Sequence, residues 1–263
     1  MRTVRATVAL AQREFTRFLR QPQRVIGSIG QPILFWLFLG TGFTGSFRPP
    51  GMEGISYIEF FYPGVLLMLL LFASIFSSIT VIEDRDQGFL QSVLVAPISR
   101  LVIVFGKVLG GALLALTQAM FFLVLAPFLG LVLSPTETAL ELLLLLLTAL
   151  GFTALGFLCA WSMKSTAGFH AIMMVVLMPL WLLSGALFPI QHVPLFLRVI
   201  METNPVTHAL VLLRLPFYHT ADQLLKNSDF LFSLVIVIVW VVICTWLSSL
   251  RVEHRDRGTL YIP

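Results

Sequence analysis

The sequence predicts an all-α integral membrane protein, on three observations: only 11% of residues are charged, the mean hydropathy is +0.94, and the apolar residues gather into six long runs. A soluble surface typically carries roughly 25% charge, so this chain of 263 residues lacks the polar groups to cover one. The runs fall at 25–44, 58–82, 106–133, 139–163, 166–188 and 230–250. Each reaches the ~20 residues that a helix needs to cross a bilayer.

An even number of spans puts both termini on one side, and the basic residues say which. Thirteen of the 17 lie on the segments this topology makes cytoplasmic: Arg2, Arg5, Arg13, Arg17, Arg20, Arg24, Arg85, Arg100, Lys107, Lys164, Arg251, Arg255 and Arg257. Arg48, Arg198, Arg214 and Lys226 fall outside. The net charge of +4 therefore reports topology in a plasma (inner) membrane and implies no nucleic-acid partner. Cys159 and Cys244 lie inside predicted spans, where free cysteine behaves as a small apolar residue, so no disulfide framework is expected. The first run starts after residue 24 and has no small-residue cleavage site, which reads as a retained helix.

Residues 1–24 precede the first run. Val4, Val8, Ala11, Phe15, Phe18 and Leu19 share roughly 100° of a helical wheel, with Arg13, Arg17 and Arg20 opposite. This predicts an interfacial helix whose apolar face enters the cytoplasmic leaflet and whose arginines meet lipid phosphates. A topology signal alone is the plainer reading of the same arginines. Pro22 closes the segment. The loops "GSFRPPGMEGIS" and "SPTETAL" are short and turn-rich, which excludes an external domain there.

Residues 83–99 hold Glu83, Asp84, Arg85 and Asp86, and a helix is expected from Gln87 to Pro97. Phe89, Leu90, Val93 and Leu94 occupy roughly 140° of it. A short cytoplasmic helix with an apolar stripe suits helix-in-groove docking on a partner protein. The other reading, a helix lying on its own bilayer, sets acids beside anionic lipid. In 189–229 the prolines at 189, 194, 205 and 216 divide apolar pieces into helices at 194–202 and 206–215. Both are too short to cross, so a re-entrant or surface-lying hairpin turning at Asn204 and Pro205 is expected. No internal repeat is detectable, so nothing points to the inverted repeats of many secondary transporters.

Ionisable groups within the runs are few. Glu59 and Glu141 near outer ends, and Lys107 near an inner end, are expected to be hydrated or to snorkel, and His170 lacks a charged companion in sequence, so an ion pathway is disfavoured. A membrane enzyme using Glu83, Asp84 and Asp86 on Mg²⁺ for lipid or prenyl phosphates is a rival reading, opposed by Arg85 within the acids and by the lack of a second acidic segment. Ser184 has no base at its depth, which leaves it a packing residue. "GK" at Gly106 and Lys107 is followed by Val108, with Leu101 where the first glycine of a phosphate loop belongs, so this chain itself hydrolyses no nucleotide. A passive channel would need a polar pore-lining helix, which no run supplies.

Two motif sets resemble the permease subunits of ABC-2 type exporters. The first is Asp84, Arg85, Asp86 and Gly88, then Pro97, Ile98 and Ser99, then Gly106 and Lys107, with Phe89 and Ala96 where that family usually has threonine. The second is Phe188 and Pro189, then Pro194, then Asn204 and Pro205 before Arg214. The resemblance spans essentially the whole chain, as one transmembrane domain over 1–263. It implies that 83–97 is a coupling helix docking on a separate ATP-binding subunit, and that the amphipathic start, with Arg13, Phe15, Arg17 and Arg20, is a connecting helix touching the same subunit. It also implies a second permease chain, as homodimer or heterodimer, with ATP and Mg²⁺ held by the partner and no cofactor here. Within that family both small hydrophobic compounds and lipid-linked glycans are exported. Tyr57, Phe60, Phe61 and Tyr62 would stack on sugars or hydrophobic compounds, or form an ordinary interfacial belt. No aromatic track runs along a span, which favours the hydrophobic or amphipathic compound.

Overall fold

In the computed structural model residues 2–20, 22–45, 54–95 and 99–259 are described, and among them there are helices and no strand. In order they are α1 (Arg2–Leu19), α2 (Pro22–Thr44), α3 (Tyr57–Ser77), α4 (Ile79–Asp86), α5 (Phe89–Val95), α6 (Arg100–Leu123), α7 (Pro135–Ser162), α8 (Thr166–Leu182), α9 (Leu195–Thr203), α10 (Pro205–Arg214), α11 (Ala221–Leu224) and α12 (Ser228–Thr259). Four stretches are long and apolar enough to cross a membrane: Tyr57–Asp86, Arg100–Leu129, Pro135–Ser162 and Ser228–Glu253. α8, with 17 residues, stops short of the run expected to reach 188.

Helix α3 is the axis of the molecule. Its side chains Phe61, Tyr62, Val65, Leu66, Leu67, Leu70 and Leu71 are wholly buried, and α2, α6 and α7 pack around it. Ser56 starts it by accepting from the Glu59 amide while its hydroxyl donates to the Glu59 carboxylate at 2.7 Å, so Glu59 serves as a cap and is half-buried. In the second turn of α3 Tyr62 stacks on Phe122 with centroids 4.8 Å apart, meets Trp36 edge-on at 5.8 Å and donates to the Phe122 carbonyl at 2.7 Å. That knot of rings ties α2, α3 and α6 together, each ring pair adding about 0.5–1.5 kcal/mol beyond its buried area.

Ser78, at φ −72° and ψ −9°, keeps helical angles between α3 and α4. The acids at 83–86 therefore end a helical run of 30 residues instead of leading a loop. Gly88, at φ +75°, makes the left-handed turn that reverses the chain into α5. Pro97 and the Leu94 side chain lie outside the described residues. α7 begins with a capping box between Ser134 and Glu137, and α12 lies along α7 and α10 with much of its apolar surface exposed.

Candidate functional site

Charged residues of α1, α4 and α6 converge on one carboxylate. Asp84 is fully buried, and Arg13 grips both its oxygens, Nη1 to Oδ2 at 3.0 Å and Nη2 to Oδ1 at 2.9 Å. Arg17 adds a bond to Oδ1 at 3.1 Å and one to Glu83 at 2.7 Å. Lys107 Nζ donates to Asp84 Oδ2 and, at 2.7 Å, to Glu14, which also accepts from Arg13 at 3.1 Å. Three cations, Arg13, Arg17 and Lys107, thus balance three acids, Glu14, Glu83 and Asp84. A buried carboxylate is tolerated only when its lone pairs are taken in this way. Reciprocally, the Asp84 hydrogen bonds raise the Arg13 pKa above its usual value.

Local packing explains why α1 reaches that carboxylate. On α6, Gly106 and Gly110 lie one turn apart, and a Cβ on Gly110 would stand 3.0 Å from the Ala11 Cα while one on Gly106 would stand 2.9 Å from the Leu10 Cβ. The absent side chains let α1 lie directly on α6, with Ala11 and Phe18 buried. This differs from the interfacial helix expected above. Arg13 and Arg17 meet protein carboxylates in place of lipid phosphates, since a buried acid attracts them more strongly than a hydrated headgroup. Val4 and Val8 stay exposed, Phe15 is half-buried and Arg20 is exposed at the end of α1. Lys107 likewise does not snorkel; it is buried within the cluster.

The short helix α5 shares its apolar stripe with its own chain. Leu90 is buried, Val93 is half-buried, and the Arg13 guanidinium lies 3.8 Å from the centre of the Phe89 ring. Its outward face carries Gln91 and Ser92, and Asp86 is exposed beside it. Arg85 turns the other way from Asp84, donating to the carbonyls of Met163 at 2.7 Å and Trp161 at 2.8 Å. The acids do not assemble a Mg²⁺ site. The Asp84 oxygens are filled by cations, Asp86 points to solvent, and no cluster of three His, Cys, Asp or Glu suited to a metal occurs among the described residues.

The second motif set closes the broken end of α8. Asn204 Nδ2 donates to the carbonyls of Leu180 at 2.6 Å and Leu183 at 3.4 Å, and its Oδ1 accepts from the Val206 amide to cap α10, with Pro205 in the first turn. Arg214 donates to the Gly185 carbonyl at 3.0 Å and lies over the Phe60 ring at 4.4 Å. Carbonyls released where a helix unwinds need new donors if the surroundings are apolar, and Asn204 and Arg214 supply them. Phe188 is half-buried, and Pro189 opens the 3-10 turn Ile190–His192. Glu141, expected at a hydrated end, is instead wholly buried with neither oxygen hydrogen-bonded, because α11 and the turn Leu215–Phe217 fold over that end of α7. Ser184 donates to the Trp181 carbonyl and is buried, a packing residue as read above.

Between α1, α2, α3, α4, α6 and α8 lies a cavity of about 410 Å³. Met68, Phe72, Phe76, Leu114, Met174 and Met178 line its apolar walls. Lys107, Glu14 and Arg17 border it at the charged cluster, and His170, also on its wall, stacks on Phe76 at 4.2 Å. Glu14 and Gly110 were missed from sequence, although Glu14 is the one acid among the six arginines of residues 1–24, a signal that it pairs.

An all-helical bundle whose described residues include four stretches long and apolar enough to cross a membrane has the architecture of a membrane protein. Residues 5–218 match the family described as ABC-2 type transporter, and the chain belongs to it. It is 32% identical over 215 residues to ycf38 of Cyanophora paradoxa, named a transport permease, covering 81% of this chain and 74% of that one. It is 26% identical over 253 residues to the inner membrane transport permease YadH of Escherichia coli K12, covering 94% and 93%. YbhR of the same bacterium, named a multidrug ABC transporter permease, is 28% identical over 167 residues, 59% of this chain and 42% of that one. The chain is thus a multi-pass membrane permease and no enzyme, and its family implies partnership with an ABC ATP-binding subunit.

Proposed function

We propose that this permease moves a hydrophobic or amphipathic small molecule outward, driven by ATP hydrolysed on a separate subunit that docks on α5. The observation carrying the transport direction of force is the Asp84 cluster: it joins the end of the α3–α4 run to α1 and α6, so a push on α5 is delivered to three helices at once. Gln91 and Ser92 are the exposed face for the ATPase, with Asp86 beside them, and α1 would touch the same subunit. ATP and Mg²⁺ would bind the partner. Two permease chains, alike or different, would face each other, each with six spans and with both termini cytoplasmic, α2 and α8 completing the four long helices.

The substrate class is read from the cavity. Its volume falls among sites for drug-sized molecules, which run from about 300 to 1,000 Å³, and three methionines give a wall that repacks around different shapes. The name of YbhR agrees with that class. A lipid-linked glycan is the second reading: Gln31, Thr80, Gln118 and His170 are polar groups on the same walls, but the aliphatic, thioether and phenyl side chains beside them favour an amphipathic small molecule.

The test is purification in mild detergent from the native membrane. A P-loop ATPase should co-purify, and Gln91→Arg with Ser92→Arg should release it without lowering permease yield. Absence of an ATPase, together with Mg²⁺-dependent turnover of a lipid phosphate by the permease alone, would sink the reading.

A further inference from the structure

Asp84 and Arg85 are neighbours on α4, yet they bind different helices. Asp84 reaches α1 and α6 through Arg13, Arg17 and Lys107. Arg85 reaches the last turn of α7, where its two terminal nitrogens bond the carbonyls of Trp161 and Met163, and its guanidinium stands 5.6 Å from the Trp161 ring centre. A cation at a helix C-terminus is favoured by the helix dipole and satisfies carbonyls that have no partner within the helix. Only Met163, Lys164 and Ser165 separate that turn from α8, and Ser165 caps α8 by accepting from the Gly168 amide at 3.2 Å. α8 then supplies His170, Met174 and Met178 to the cavity, while α1 and α6 supply Phe18 and Leu114 on the other side.

We infer that Arg85 is a positioning residue that carries movement of the α4–α5 segment into the α7–α8 corner, so that Asp84 and Arg85 together set the distance between the two flanks of the cavity. The geometry explains why adjacent residues carry opposite charge: the acid gathers the cations of α1 and α6, and the arginine holds carbonyl oxygens. Two parallel bonds from a planar guanidinium fix direction as well as distance, which a lysine, with one point charge, does not. A helix end joined by two bonds and a three-residue turn follows α4 as a body.

The inference rests on the proposed ATP-driven function, and one experiment separates their failures. The permease is purified with its ATPase as Ala167→Cys, on a background of Cys159→Ala and Cys244→Ala, and an environment-sensitive fluorophore is attached at 167, an exposed position in the first turn of α8. Emission is read before and after ATP and Mg²⁺. With Arg85 in place, ATP shifts the emission. Arg85→Ala abolishes the shift and Arg85→Lys, which keeps the charge but loses the paired geometry, reduces it, while the ATPase still co-purifies with both. If Arg85→Ala fails to assemble, the Arg85→Lys comparison decides. A full shift in either variant, or no shift with Arg85 present and the ATPase bound, overturns the arm and leaves the exporter reading intact. Lack of any ATPase in the parent preparation removes both.

Discussion

Asp84 is the carboxylate on which the charged cluster closes, bonded by Arg13, Arg17 and Lys107. Removing one member of a buried charge network leaves the others unpaired, which costs about 3–5 kcal/mol. Asp84→Asn should therefore lower the melting temperature of the detergent-purified permease clearly, whereas Asp86→Asn, at an exposed position, should leave it within about 0.5 kcal/mol of the parent. A second residue-scale expectation concerns Asn204. Asn204→Ala removes the side-chain donor to the Leu180 carbonyl at the end of α8, while Leu183 keeps that of Thr207, and should cost about 1–3 kcal/mol, read as earlier thermal aggregation. The roles of these residues were only half legible in sequence. Acids beside an arginine signal a special segment, but the depth at which Asp84 sits depends on α1 folding back from 71 residues earlier. No local pattern encodes that distance.

At the scale of elements, α1 and α6 form the unit that the sequence described least well. The amphipathic pattern of residues 1–24 was plain, yet a helix with one apolar face fits a lipid surface and a protein groove equally, and periodicity does not separate them. The separating feature is on the other helix, where Gly106 and Gly110 leave room for a backbone. Gly110→Leu should lift α1 from α6 by filling a space that ends 3.0 Å away at Ala11. Limited proteolysis is the check: cleavage within residues 2–19 should rise sharply in that variant and stay at the parent level in Gly27→Ala, where an added Cβ meets nothing within 4 Å. Other elements read well because their signals are local. The prolines and Asn204 mark α9 and α10 to within a residue or two of their ends, whereas the helix expected from Gln87 starts only at Phe89, because Gly88 takes a left-handed φ of +75°. α8 was read too long because the apolar run continues past Leu182, while the chain unwinds to meet Asn204 and Arg214.

Across the whole molecule, α1, α3, α6 and α7 are all tied to one short segment that lies beside the cavity. α1 and α6 are bound to that segment by ion pairs, the α7 terminus by a guanidinium, and α3 is continuous with it. A docked subunit acting on α5 would therefore not need to touch the cavity to reshape it. Composition announced the membrane and the family motifs announced the partner, but the cavity itself was invisible in the sequence, because its walls come from six helices spread over residues 14–178.

The measurement that tests this account most directly is transport per ATP in vesicles holding the permease and its ATPase, with a hydrophobic fluorescent dye as cargo, comparing the parent with Asp84→Asn. The parent should accumulate dye only with ATP, and Asp84→Asn should move about tenfold less dye for each ATP hydrolysed, the size of a typical coupling between sites. Equal transport per ATP in the two would contradict the account, since the Asp84 cluster would then hold the fold together without carrying force.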